Sequence, residues 1–115
     1  MKMLTKPTSL LSIATLVLAA TLTASAALAA SHVVKMNSIS YEPKKLEMKS
    51  GDSVVWQNVA YTQHSATSEE AGVFDTGLIE PKAKSKAVVL TKAGTYAYHC
   101  SIHGKTMHAE IVVKE

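Results

Sequence analysis

Residues 94–113 read GTYAYHCSIHGKTMHAEIVV, and this stretch decides the fold. From Thr95 to Cys100, aromatic and small residues alternate, the period of a β-strand with one face buried. Glu110–Val113 closes the stretch as a second run rich in β-branched residues. Between the two, Cys100 and His103 stand three apart, where a strand gives way to a tight loop. Met107 follows four residues later in the same loop. A strand end followed by a short loop can aim two side chains at one centre.

The rest of the chain reads the same way. Val33–Met36, Lys45–Met48, Ser53–Asn58 and Lys86–Leu90 are short runs of strand character, and His64–Thr67 is a weaker one. Ser53–Asn58 is the strongest and is expected to bury Trp56. Lys49-Ser-Gly-Asp52 and Lys92-Ala-Gly94 read as turns. Residues 69–84 do not alternate and hold Gly72, Gly77 and Pro81, which predicts an irregular crossover with a short turn or strand at Val73-Phe74. Seven or eight short strands without a long helix predict an all-β sandwich or barrel.

At 115 residues the chain allows one small domain. A single cysteine excludes an internal disulfide framework. Twelve lysines and no arginine stand against nine acidic residues, a formal charge of +3 with no basic cluster, which does not support nucleic-acid binding. Part of that charge sits in an N-terminal segment of export character. Lys2 and Lys6 precede an apolar run from Leu10 to Leu22, and small residues occupy 24–30 apart from Leu28. The segment predicts a signal peptide over 1–29, cut after Ala27-Leu28-Ala29, and a mature domain over 30–115 in the periplasm. The apolar run is too short to favour a membrane anchor. The mature chain carries ten lysines against nine acids, a charge of +1. So small a domain, with no disulfide, gains from the stability a bound metal supplies.

The metal-ligating residues point to copper. His64 lies 36 residues before Cys100, beside another strand. A thiolate, two imidazoles and a thioether (Cys100, His64, His103 and Met107) form a soft set that suits one copper ion in an electron-transfer site. Zinc also accepts Cys and His, but structural zinc sites rarely include Met. A catalytic metal wants a nearby general base, and no Asp or Glu falls within the ligand loop, so the pattern does not point to an enzyme.

On these residues the chain resembles the small cupredoxins of the plastocyanin, amicyanin and pseudoazurin group, amicyanin above all. The resemblance spans nearly the whole mature chain. It rests on Val55-Trp-Gln-Asn58 with His64 six residues on, Phe74-Asp-Thr-Gly77, Gly94-Thr-Tyr-Ala-Tyr-His-Cys100, and His103 with Met107 ahead of the last strand. It implies a Greek-key β-sandwich in which His64, Cys100, His103 and Met107 bind one copper ion, with Asn58 tying the two ligand loops together and Thr67 as a further candidate. It further implies a monomeric one-electron carrier that meets its partners briefly, a c-type cytochrome or a dehydrogenase. His103 would be the electron port, ringed by an apolar patch from Ala60, Tyr61, Ile102 and Met107. Lysines 44, 45, 49, 82, 84 and 86 either steer an acidic partner or serve as solvated faces. A copper-handling or copper-tolerance protein using the same ligands is the alternative function.

Three departures from the family pattern stand out. Ile102 and Gly104 flank His103 where the family often has proline, and Ser65 follows His64 in place of the usual Asn. His108 follows Met107, so an imidazole could replace the thioether, a set resembling the red-copper protein nitrosocyanin. Neighbours on a strand point opposite ways, so one of the two reaches the metal, and the register favours Met107. By the same alternation His99 points away from Cys100. Cleavage after Ala29 would leave Ala30-Ser31-His32 as the mature terminus, whose amine, amides and imidazole can wrap cupric ion in a square plane. A solvated His32 on a frayed end is the expectation weighed against it.

Overall fold

A computed structural model describes residues 28–115, together with Met3. The predicted export segment, apart from Met3, Leu28 and Ala29, lies outside the described residues. The described residues form eight strands in order: β1 (Ser31–Met36), β2 (Tyr41–Glu42), β3 (Lys45–Lys49), β4 (Ser53–Asn58), β5 (Thr67–Ser68), β6 (Val88–Val89), β7 (Gly94–Cys100) and β8 (Gly104–Lys114). They form two four-stranded sheets, ordered β2-β1-β4-β6 and β3-β8-β7-β5. Among the described residues there is no helix, and hence none long and apolar enough to cross a membrane.

Alternation builds the sandwich. On β4, Val54, Trp56 and Asn58 face inward and their neighbours are only partly covered. From the facing sheet come Tyr98 and Cys100 of β7, and Met107, Ala109, Ile111 and Val113 of β8. Val34 and Met36 of β1 complete the layer. Four aromatic rings knit the two sheets at the end nearest the ligands. Tyr98 meets Tyr41 edge-on at 4.7 Å and Trp56 at 5.4 Å, and Trp56 stacks on Phe74 at 5.4 Å. Pairs of this geometry each add about 0.5–1.5 kcal/mol beyond the area they bury.

Two parallel pairings, β1 with β4 and β3 with β8, require crossovers between the sheets, while β7 and β8 form an antiparallel hairpin. The hairpin positions the site. Its register runs regularly from Gly94↔Val113 to His99↔His108 and then breaks, with Cys100 pairing Gly104. Residues 105–107 are therefore extra on the β8 side, a bulge beside the cysteine. Gly104 takes a φ of 55°, the left-handed conformation that turns the chain sharply back after His103.

Strand boundaries differ from the sequence expectation where tertiary pairing decides them. Tyr41–Glu42 pairs with Lys35 and Met36, although two residues carry no periodic signal. His64 itself makes only an isolated bridge to Ile79, and the adjacent strand starts at Thr67. Lys86–Leu90 contracts to Val88–Val89. The last strand begins at Gly104, so Met107 sits within β8 and not in a free loop. Of the turn or strand expected at Val73-Phe74 the structure takes the turn, with the Val73 amide donating to the Glu70 carbonyl at 3.4 Å, and the crossover is held by isolated bridges and loop hydrogen bonds.

Candidate metal centre

The two donor-bearing segments meet at one end of the sandwich. Cys100 ends β7 with its side chain inward, and the turn 101–103 carries His103 back over it. His64 arrives from the other side of the core on the segment after β4. Its amide donates to the Ile79 carbonyl at 3.2 Å, and the Ile79 amide donates back at 2.7 Å. Asn58 braces this segment. Its Nδ2 donates to the Thr62 carbonyl at 2.8 Å and the Ile79 carbonyl at 2.9 Å, and its Oδ1 accepts from the Ala60 amide at 2.9 Å.

Three donors converge. His64 Nδ1 and His103 Nδ1 each lie 3.7 Å from Cys100 Sγ, and all three ligand atoms fall within 4.8 Å of one another. Two donors that share one first-row metal ion, at bond lengths of about 2.0–2.3 Å and near-tetrahedral angles, lie roughly 3.6 Å apart. The spacing therefore fits a single ion. The chemistry of the set fits copper, for two imidazoles and a thiolate suit that metal. His64 and Cys100 are fully buried and His103 is partly exposed, so one imidazole edge borders solvent. Burial, with His103 close by, lowers the pKa of His64 and holds its imidazole neutral, the form that ligates a metal. Its Nε2 faces Thr62 Oγ1 at 3.4 Å, which suits an Nε2–H tautomer and leaves Nδ1 its lone pair.

Met107 is buried completely, on the same face of β8 as Ala109 and Ile111, whereas His108 is exposed on the opposite face. His99 also faces outward, with Nδ1 2.8 Å from Glu69 Oε1. His32 is neither frayed nor fully solvated. Its Nε2 lies 3.0 Å from Asp52 Oδ2, and Ser31 and His32 run extended in β1 beside Ser53 and Val54. A square-planar wrap by Ala30-Ser31-His32 would require these residues to leave the sheet.

Two expectations about the surroundings are corrected. Asn58 does not reach the Cys100 loop; it braces the His64 segment against Ile79. The tie between the ligand loops is made by Ser65. Its Oγ accepts from the Ser101 amide at 2.9 Å and donates to Ser101 Oγ at 3.1 Å, and it lies 3.0 Å from Thr67 Oγ1. The Ser65 amide points at Cys100 Sγ at 3.5 Å, and Tyr41 Oη donates to the Ser65 carbonyl. Only the position of Ser65 beside His64 signals this role in the sequence. The apolar rim also differs: Ala60 and Met107 are buried, and the exposed apolar residues on the ligand-bearing segments are Ile102 and Tyr61, with Leu78 next to Ile79. Lys82 Nζ lies 4.9 Å above the Tyr61 ring.

Comparison with known proteins agrees with this geometry. Amicyanin of Paracoccus denitrificans is 32% identical over 85 residues, 71% of this chain and 64% of that protein's length. Plastocyanin of Lactuca sativa is 29% identical over 85 residues, 64% of this chain and 86% of that one. The solved structure of a reduced Cu(I) amicyanin variant at pH 4 matches with a TM-score of 0.66 at 30% identity, covering 73% of this chain and 82% of its own. A purple cupredoxin from Nitrosopumilus maritimus shares the fold, with a TM-score of 0.66 at 20% identity over 72% of this chain and 99% of its own. With residues 9–113 matched by the model of the cupredoxin-like domain, and two sheets closing over a thiolate and two imidazoles, this chain belongs to the cupredoxin-like family of small copper proteins.

Proposed function

We propose that the protein is an exported one-electron carrier, with its copper ion held by His64, Cys100, His103 and Met107. The observation that carries this reading is the convergence of His64, Cys100 and His103 donor atoms on one point, from segments already fixed by hydrogen bonds. Copper bound there supplies a couple between its cuprous and cupric states. The chain's part is to keep the donors still through that change. Cys100 is held at a strand end, His64 by its exchange with Ile79, and His103 by the Ser65–Ser101 tie. Met107, buried on the face of β8 that carries Ala109, would supply the weak thioether, and His108 faces away.

Burial of Cys100 and His64 keeps water from the centre, and partial exposure of His103 gives electrons a short way out. Ile102 and Tyr61 offer a small apolar surface on the segments beside it, of the kind that suits brief docking. Lysines 82, 84 and 86 would favour a partner with an acidic face, a c-type cytochrome or a dehydrogenase. Residues 1–29 would direct the chain to the periplasm, and the mature domain would act as a monomer and not as an enzyme.

The test is the optical and electron-paramagnetic-resonance spectrum of the purified protein loaded with Cu(II). An intense visible band from thiolate-to-copper charge transfer, lost in Cys100→Ala, together with rapid reversible exchange with a cytochrome, supports the proposal. A protein that stays colourless with stoichiometric Cu(II) would refute the copper site. One that is blue but exchanges no electrons, and yields its copper readily to a carrier, would indicate copper handling.

A further inference from the structure

The outer face of the β7–β8 hairpin carries a second group of ligating side chains, separate from the buried centre. His99 and His108 are direct cross-strand partners. Alternation turns both away from the core, since Tyr98 and Cys100 on one strand and Met107 and Ala109 on the other face inward. Residues opposed in this way have Cβ atoms about 4.5–5.5 Å apart, within reach of two imidazoles that share one ion.

Glu69 approaches from the residue after β5. Its amide donates to the Ala97 carbonyl at 2.9 Å, which fixes its backbone against β7, and its Oε1 lies 2.8 Å from His99 Nδ1. Glu69 and His108 line one surface depression with Ala97, Tyr98 and Ala109, where the outward side chain between them is only the methyl of Ala97. A carboxylate on Nδ1 selects the tautomer that carries its proton there. The Nε2 lone pair of His99 is then left for a cation, the arrangement by which carboxylates orient metal-ligating histidines.

We propose that His99 and His108 form a second, solvent-open site for a borderline divalent cation of the zinc class, with Glu69 as the residue that positions His99. Two imidazoles suit zinc, nickel and cupric ions, and they do not suit calcium or magnesium, which take oxygen ligands. Water completes the coordination, since His108 is exposed and His99 partly so. The site does not depend on which metal the buried centre holds.

The experiment is a Zn(II) titration of the processed protein, followed by NMR of the individual imidazoles, so that each histidine reports its own occupancy. His64 and His103 then register the buried centre, and His99 and His108 the outer one. The His99 and His108 signals should move together with one midpoint, whether or not zinc enters the buried centre. Glu69→Ala should weaken this midpoint by about 10–100-fold, the usual loss when the partner that orients a ligating histidine is removed. His99→Ala should abolish the saturable shift of His108, His108→Ala that of His99, and His32→Ala should change neither. His99 and His108 signals that stay fixed at millimolar zinc, or that titrate with unrelated midpoints, would overturn the proposal without touching the copper reading. Because the wild-type signals test it alone, a variant that misfolds does not weaken the experiment.

Discussion

Ser65→Ala isolates the tie between the ligand loops. The substitution removes Oγ and leaves the Ser65 amide aimed at Cys100 Sγ and the carbonyl that accepts from Tyr41. What is lost is the acceptor for the Ser101 amide at 2.9 Å, together with the contacts to Ser101 Oγ and Thr67 Oγ1. A hydrogen bond of this kind contributes about 1 kcal/mol net, and a buried donor left without a partner costs about 1–3 kcal/mol. Ser101 is exposed, so water can reach its amide and the cost falls toward the lower end. The expected loss is about 1–2 kcal/mol, read as a lower urea midpoint with an unchanged slope. Ser101→Ala keeps the amide-to-Oγ bond and removes only the hydroxyl contact, so it should cost less. The copper-loaded Ser65→Ala protein should also lose its metal to a chelator faster, because His103 is then less firmly held. A Ser65→Ala variant within about 0.5 kcal/mol of the parent, the range of an ordinary surface change, would refute the role assigned to Ser65. So would a larger loss from Ser101→Ala.

Three further outcomes follow from the geometry. Asp52 accepts from the His32 ring and from the Ala30 and Lys49 amides, and these contacts lower its pKa from 3.8 to about 2. A depressed carboxylate contributes stability that is present above its unfolded value and lost as pH falls toward the folded one. Unfolding stability should therefore decline between about pH 4 and 2, and Asp52→Asn should flatten that decline in acid titrations. Ile111→Ala, fully buried on the central strand β8, should cost about 2–5 kcal/mol in urea unfolding, whereas Val112→Ala on the partly covered face should cost far less. Met107→Leu should retain Cu(II) with an altered thiolate-to-copper charge-transfer band, and His108→Ala should leave that band unchanged. The reverse pattern would move the axial ligand to His108.

The fold was legible where periodicity repeats over several residues. Ser53–Asn58 occupies the bounds its alternation predicts, because each inward residue, Val54, Trp56 and Asn58, has a buried place waiting. The two-residue strand Tyr41–Glu42 and the isolated bridge at His64 were not legible, since partners distant in sequence impose them. The three converging donors could be named from residue type and spacing. Their support was legible only in part: Ser65 stands out as the replacement for the usual Asn after His64, but the fold alone brings Ser101, 36 positions away, to its hydroxyl. The rim was misjudged for a related reason. Ala60 and Met107 are apolar and near the ligands in sequence, and such residues fill the core as readily as they coat a surface.

The break in the β7–β8 ladder explains how one short stretch serves both strand and site. If the regular pairing continued past His99↔His108, Met107 would lie opposite Cys100, and residues 101–106 would form an ordinary hairpin loop. The closure at Cys100↔Gly104 shortens the turn to 101–103 and moves the excess residues into the bulge. His103 is thereby confined to a tight turn over Cys100, 3.7 Å from its sulfur, and does not swing on a six-residue loop. Loops of that length without internal bonds are mobile, and a mobile donor would make the centre rearrange with each change of charge. Family members often place proline beside this histidine. Here a left-handed Gly104 and the Ser65 hydroxyl do the restraining, one through backbone shape and the other through a hydrogen bond to the turn's first amide.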